Sequence, residues 1–499
     1  MSGLGVLGSL AGDPSLLKFV AGFFGLVSFA SLATCVYSAY LHPLSKYPGP
    51  RIAAATRLWF CYHLIRGDLH LAIHHLHLKY GEVVRIAPDE LSYTHADGWN
   101  QIYGQRPGKP EITKDPLFYG TLSSGPGSIV SASRDRHAVL RKQMAPGFSE
   151  RAMREQEAII RSYADFLIGA LKQNGKASVA DLMRWYNYFT FDIMGHLVFG
   201  EPFDCLKCTG YHPWVGLIFD AIRSAAFMRS SNFWPWLAPL IRKFIPKEMQ
   251  RRRLEQKEMA RAKVALRKSI KDAPYDLSAS MLKPDSGVTP QEYQATVESI
   301  IIAGSETTAT ALSGVTFLLL KNPDKLERVV KEVRSAFASP EDISFVNINK
   351  LPYLLACLNE ALRIYPPIPD AFPRNTTSNV EMILDQLVPP NTIVRMTHWG
   401  TFHSPRNFTR PDEYLPERWL GEDPQFANDK KNAFQPFQVG PRNCIGRNLA
   451  YFEMRLVMAL VLWHFDMDLC EESTDWSNQK VYLLWEKPAL MVKMSPRAV

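Results

Sequence analysis

Four patterns of apolar and polar positions divide the chain. From Phe19 to Leu41 no charged residue occurs, and Phe, Leu, Val, Ala and Gly dominate. A run of about 23 residues crosses a bilayer as one helix, and it outlasts the apolar region of a secretory signal peptide. Tyr37, Tyr40 and Tyr47 suit an interfacial aromatic belt. Lys46, Arg51 and Arg57 follow the span, while Asp13 and Lys18 alone precede it closely, so the positive-inside rule places the bulk of the chain in the cytosol. The expected order is a short N-terminal segment (1–18), a single-pass anchor (19–41), a Pro/Gly linker (42–51) and a catalytic domain (52–499).

Beyond the break Lys46-Tyr47-Pro48-Gly49-Pro50-Arg51 the second pattern is strand-like: Glu82–Ala87 and Leu91–Thr94 flank Pro88-Asp89 as a hairpin. From about Arg134 to Leu320 the apolar period is helical. Thr289-Pro290-Gln291-Glu292 forms a capping box with Pro at the first helical position, and Asn322-Pro323 stops that helix. Its roughly 30 residues span about 45 Å. A shorter helix is expected over Pro352–Ile364. Val380–Trp399 is strand-like, broken by Pro389-Pro390-Asn391, and a last helix is expected over Asn448–Phe465. The class is mainly α with small β-sheets, and no linker divides the domain.

Composition narrows the function. With 499 residues, 46% of them apolar, the chain has ample material for a core. The formal charge of +8 is dispersed; its densest run, Arg251-Arg252-Arg253, lies in a solvated helix (Gln250–Lys271). No aromatic-plus-basic stripe accompanies it, so nucleic acid is not an expected partner; an acidic protein or an anionic membrane fits better. Seven cysteines are too few and too irregular for a disulfide framework. Cys205 and Cys208 form a lone CxxC without a second pair. His70, His74, His75 and His77 read as the exposed face of an amphipathic helix, since no Glu follows the first His.

The densest chemistry is Phe437-Gln-Val-Gly440-Pro-Arg442-Asn-Cys444-Ile-Gly446. Five positions at this spacing arise by chance in about 1 chain in 10,000. Gly440 and Gly446 allow tight turns that aim amides at the sulfur, and the following helix adds its positive end; both favour a thiolate. Glu360-Ala-Leu-Arg363 places two charges on one helical face, and Pro416-Glu-Arg418-Trp adds another cation. In the long helix, Ala303-Gly304-Ser305-Glu306-Thr307-Thr308 lowers helix propensity, and its hydroxyls compete for backbone carbonyls.

These residues resemble the cytochrome P-450 family from about Tyr40 to the C-terminus. Tyr40-Leu-His-Pro-Leu, Glu82-Val-Val-Arg-Ile-Ala-Pro-Asp-Glu-Leu and Pro416-Glu-Arg-Trp resemble its membrane-anchored fungal biosynthetic members. The resemblance implies the cytochrome P-450 fold and haem b (iron protoporphyrin IX), with Cys444 as axial iron ligand in a loop that includes Phe437, Gly440 and Gly446. Arg442, Arg374 and Arg141 are then expected at the propionates. His137 joins them, standing where the family usually carries Trp. Glu360, Arg363 and Arg418 form the structural network behind the loop. Thr307 is expected to hydrogen-bond dioxygen, with Glu306 relaying protons. Ile301, Ile302, Ala303, Ile368, Asp370, Ala371 and Phe372 are expected to line the substrate pocket, bordered by Gly104–Ser131 and Tyr211–Trp236. Asp370 has two readings: solvated or capped by an amide, or orienting a substrate hydroxyl or amine.

The implied reaction inserts one oxygen atom of dioxygen into a hydrophobic small molecule, such as a terpenoid, polyketide or alkaloid. Electrons come from NADPH through an NADPH–cytochrome P-450 reductase at the endoplasmic reticulum membrane. The same oxidation chemistry also serves desaturation, rearrangement and phenol coupling, and these stay open.

Overall fold

A computed structural model describes residues 14–122, 127–173, 178–235, 247–269, 277–370, 372–376 and 378–497. The anchor is an α-helix, α1 (Pro14–Val36), continued by a π-helical turn, Tyr37–Leu41. Its apolar side chains are almost all exposed, and Ala21–Leu41 is long and apolar enough to cross a membrane.

The anchor does not end in a free linker. Ser38 is buried and donates to the Ala54 carbonyl at 2.6 Å, and Arg85 donates to the Ser38 carbonyl at 2.9 Å. Leu44 and Tyr47 sit in an apolar cluster with Ile383 and Val388. The Arg85 amide bonds the Pro48 carbonyl at 2.7 Å. Residues 42–51 are therefore docked onto the domain. Their Pro and Gly residues serve close packing, which composition alone does not distinguish from flexibility.

Helices build most of the domain. α2 (Arg134–Met144), α3 (Leu182–Phe199), α4 (Pro290–Lys321), α5 (Pro352–Ile364) and α6 (Arg447–His464) surround the site. In α4 the capping box forms as expected: the Glu292 amide donates to Thr289 Oγ1 at 3.3 Å, and the Thr289 amide to Glu292 Oε2 at 2.9 Å. Arg136 of α2 grips the same carboxylate at 2.6 Å and, against a smaller effect of burial, brings its pKa down to about 2. α4 lies along α3, and Gly304 backs onto the Met194 side chain: a Cβ there would stand 2.6 Å from its flexible end, which would have to shift. The helix is unbroken through this glycine, which serves packing here.

A five-stranded sheet lies at the other side: β1 (Val83–Ala87), β2 (Glu90–Tyr93), β3 (Thr113–Lys114), β4 (Arg374–Asn375) and β5 (Ile393–Met396), in the order β1-β2-β5-β4-β3. The β1–β2 hairpin matches expectation. Within the stretch read as strand-like up to Trp399, the chain turns helical at His398–Phe402. The histidine-rich helix Leu69–Tyr80 departs more: His70, His74 and His77 are buried, and only His75 faces outward. His70 packs edge-on to Trp399 and Trp485, and His77 bonds the Gly81 carbonyl and Ser92. Aromatic and polar partners from distant segments bury this face, a fact invisible to local periodicity.

Candidate active site

The Cys444 loop is fixed by backbone geometry. The Cys444 amide donates to the Phe437 carbonyl at 2.9 Å, and the Phe437 ring rests 5.2 Å from Tyr451. Gly440 has φ +78°, and a Cβ there would stand 2.0 Å from the Tyr103 carbonyl oxygen, so only glycine fits. Gly446, expected to be a second tight turn, has ordinary room for a side chain; it caps α6, and its amide bonds the cysteine sulfur. Burial pushes the Cys444 thiol up, against the Gly446 amide and the nearby Arg141 and Arg447. Yet the side chain is surface-accessible. A sulfur that is accessible and also enclosed by protein atoms faces an interior cleft.

Behind the loop, Glu360, Arg363 and Arg418 are all buried. Arg363 meets both Glu360 oxygens at 2.8 and 3.0 Å, Arg418 reaches Oε1 at 2.9 Å, and the Trp419 indole N–H donates to Oε2 at 2.9 Å. Burial would raise the Glu360 pKa, but the two guanidinium groups outweigh it and hold the carboxyl below its ordinary value. Arg363 also donates to the carbonyls of Phe402, Pro411 and Glu413, so the network is fully engaged. Trp419 packs at a tilt, 4.6 Å between ring centres, against Phe434, which precedes the cysteine loop. This is the structural network expected from the sequence.

The other motif lies on α4. Ala303 is exposed and Thr307 partly so, in a helix otherwise mostly buried. Their i, i+4 spacing puts both on one face, and Thr307 Oγ1 donates to the Ala303 carbonyl at 2.6 Å. Glu306 turns elsewhere: it is buried and pairs through Oε1 with Lys487, while Oε2 has no hydrogen-bond partner. Ile301 is fully buried in the main core and is no pocket wall; Ile302 is only partly buried against that core. Ala303 is two positions after Ile301, about 200° of helical rotation, which sets them on opposite sides.

The segment after α5 corrects the first reading of Asp370. It is neither solvated nor capped by an amide: buried, it receives Arg395 at 3.1 Å, with Arg229 at 3.9 Å. Ile368 and Phe372 are partly exposed, and Phe372 packs against Phe118 and Tyr119. Ala371 lies outside the described residues, as do 123–126 and Trp236 of the two bordering stretches.

The cations expected at the haem carboxylates divide into two groups. Arg141 is committed to the loop itself, donating to the Asn443 carbonyl at 2.7 Å and to its side-chain oxygen at 2.6 Å. Arg442 grips a carboxylate from the chain, Glu111 Oε1, at 2.6 Å. Arg374 is buried with Nε and Nη1 unpartnered. Lys114, which motif reading missed, faces Arg374 directly across the β3–β4 pairing. Desolvation, then Arg442 and Arg374, lowers the Lys114 pKa to about 6. Desolvation, then Arg442, Lys114 and Arg141, lowers that of His137 to about 3. Lys114, His137, Arg374 and Arg442 thus crowd one desolvated place, where Glu111 is a single opposing carboxylate. Arg374 and Arg442 supply the positive charge, Lys114 and His137 add donors, and an anion placed there would favour a proton on Lys114; the combination suits a dianion, and with Cys444 next to it the set fits an iron porphyrin bearing two propionates. Lys114 and Glu111 carry no local motif; the strand register reveals the first and the ion pair with Arg442 the second.

The cytochrome P-450 family model matches residues 50–494. The chain is 42% identical over 466 residues to cytochrome P-450 monooxygenase astA of Talaromyces wortmannii, covering 93% of this chain and 94% of that protein. It is 41% identical to cytochrome P-450 monooxygenase cpaH of Aspergillus oryzae, over 93% of this chain and 91% of the relative. Averantin hydroxylase of Dothistroma septosporum is 39% identical, over 98% and 95% of the two chains.

Proposed function

The chain belongs to the cytochrome P-450 family and is a haem-dependent monooxygenase of the kind found in fungal secondary metabolism; we propose that it oxidises a bulky, largely apolar small molecule bound between α4 and the segment after α5. The observations that support this reading are the accessible Cys444, whose sulfur the Gly446 amide bonds, and the Ala303–Thr307 face that α4 leaves open along an otherwise buried stretch. Cys444 would ligate the haem iron, and Arg374, Arg442, Lys114 and His137 would hold the carboxylates. Haem, when bound there, supplies dioxygen activation and the oxidation of a C–H bond.

The chain's own residues do the rest. The Gly446 amide and the positive end of α6 favour a thiolate at Cys444. Thr307 presents a hydroxyl in the groove; released from the Ala303 carbonyl, it donates to dioxygen. Glu306 holds and passes protons beside it. Ala303, Ile368 and Phe372 offer apolar surface, each buried Å² of which contributes roughly 25 cal/mol to substrate binding.

The reading extends to electron supply from NADPH through a membrane-bound reductase, and to an endoplasmic reticulum protein with a single span and a cytosolic domain. The exposed apolar α1 supports the anchor.

The test is co-expression with a reductase, isotopically labelled dioxygen and mass screening of host metabolites. A product one labelled oxygen heavier supports insertion; an oxidised product without label shows desaturation or coupling instead. Thr307→Ala is expected to consume NADPH yet yield mainly peroxide. Unchanged product per NADPH in that variant would contradict the role given to Thr307.

A further inference from the structure

We propose that Lys487 is a positioning residue for Glu306: it holds one carboxylate oxygen so that the other remains a free acceptor next to the Thr307 groove. The proposal rests on the assignment of Glu306 and Thr307 to oxygen chemistry.

Lys487 comes from a surface turn, with Glu486, Pro488 and Ala489 exposed around it. Its side chain nonetheless runs inward until only 2% of it is accessible, and there Nζ meets Glu306 Oε1 and donates to Thr310 Oγ1 at 2.7 Å. The turn is held from both ends. Trp485 donates to the Pro366 carbonyl at 2.8 Å and stacks 4.5 Å from Tyr365. The Leu490 amide bonds Asp181 at 3.0 Å, and the strand Met491–Pro496 follows directly. The backbone around Lys487 therefore has little freedom to withdraw the ammonium.

Stability does not explain the pair. Desolvating two charges costs several kcal/mol each, and apolar side chains of similar volume serve a core equally well. What the pair achieves is an orientation. Glu306 Oε1 is taken by Lys487 and Thr310, while Oε2 is buried with no hydrogen-bond partner. Glu306 precedes Thr307 by one residue, about 100° around α4, so Oε2 lies on the buried side of the Thr307 face. It is the one oxygen of this carboxylate left as an acceptor for a water molecule.

Charge follows the same logic. Burial pushes the Glu306 pKa up, and Lys487 opposes it. The other titratable groups near this carboxyl are Tyr211, on the far side of α3, and Tyr365, after α5; burial raises both, so both are neutral at pH 7. Among the described residues, Lys487 is the one cation acting on Glu306. With Lys487 in place the carboxyl already stands above its ordinary value; without it only the Thr310 hydroxyl opposes burial, and the contact that fixes Oε1 is lost.

The test uses the full-length ferric holoenzyme and the variants Lys487→Met, Lys487→Arg and Glu306→Gln/Lys487→Met. In infrared spectra at pH 7, Lys487→Met is expected to gain a protonated-carboxyl band that the parent lacks and the double variant removes. Product per NADPH in Lys487→Met is expected to fall about tenfold at pH 7 and to recover towards alkaline pH, while Lys487→Arg stays near the parent. If Lys487→Met fails to fold, Lys487→Gln keeps a donor without the charge and carries the same measurements. Failure of the underlying reading is separable, because a parent protein lacking the thiolate-haem spectrum fails before Lys487 is at issue. Lys487→Met with no new band and the parent's pH profile overturns the proposal.

Discussion

Lys114 and Arg374 face each other directly across the two-residue pairing of β3 with β4, and the carboxylate near them, Glu111, is held by Arg442. Burial and the neighbouring guanidinium groups lower the Lys114 pKa to about 6, which costs folding stability at neutral pH, and an anion that bridges the pair reverses the sign. Lys114→Met is therefore expected to act in opposite directions on the two forms. The haem-free protein gains a little stability, while haem loss to an excess of an apo-globin acceptor becomes about 10- to 100-fold faster, the loss of one charged hydrogen bond. Lys114→Arg should retain haem. Equal loss rates for parent and Lys114→Met would place the carboxylates elsewhere.

Removing a member of the Glu360 network leaves buried guanidinium groups without their acceptor. Glu360→Gln is expected to cost about 3–5 kcal/mol, enough to abolish most folded, haem-bound protein. Thermal unfolding of whatever is recovered checks this. A parent-like midpoint would show that Arg363 and Arg418 find other acceptors at no cost.

What was legible in the sequence was local. The Cys444 loop, the Thr289–Glu292 capping box and the bounds of α5 and α6 depend on neighbours within a few residues, so their spacing suffices. Lys487 on Glu306, Glu111 on Arg442 and Asn443 on Arg141 join residues far apart in the chain. No local signal encodes such pairs, and tertiary packing alone chooses them. The same holds for the helix Leu69–Tyr80, whose histidines look like a solvated stripe until Trp399, Trp485 and Ser92 arrive from elsewhere.

Those histidines make stability depend on pH. Burial lowers the pKa of His70 and His77 from 6.5 to about 4. The unfolded chain takes up protons near the ordinary value, while the folded chain does so only at much lower pH. The stabilisation is complete above about pH 6.5 and is lost progressively as pH falls toward 4, up to about 3 kcal/mol per group. Thermal midpoints measured across this range should fall with acidification, and His77→Gln should shallow the slope. A flat profile between these values would mean that the ring is solvated.

The docking of Ser38 separates two truncations. Deleting residues 1–36 removes the apolar helix and should release the protein from membranes with the domain intact. Deleting 1–41 also removes the two Ser38 acceptors of buried Arg85, whose pKa burial already lowers to about 10. The longer deletion should therefore melt several degrees lower. Identical midpoints would show that the Ser38 contacts contribute nothing, and retention of either form after alkaline carbonate washing would reveal a second span.

The whole account turns on the sulfur of Cys444, and the carbon monoxide spectrum of the reduced protein reads it directly. The parent should show the strongly red-shifted Soret band of thiolate-ligated haem, and Cys444→Ser should lose that band even where haem is retained. A red-shifted band that persists in Cys444→Ser would contradict the assignment of Cys444 as the iron ligand.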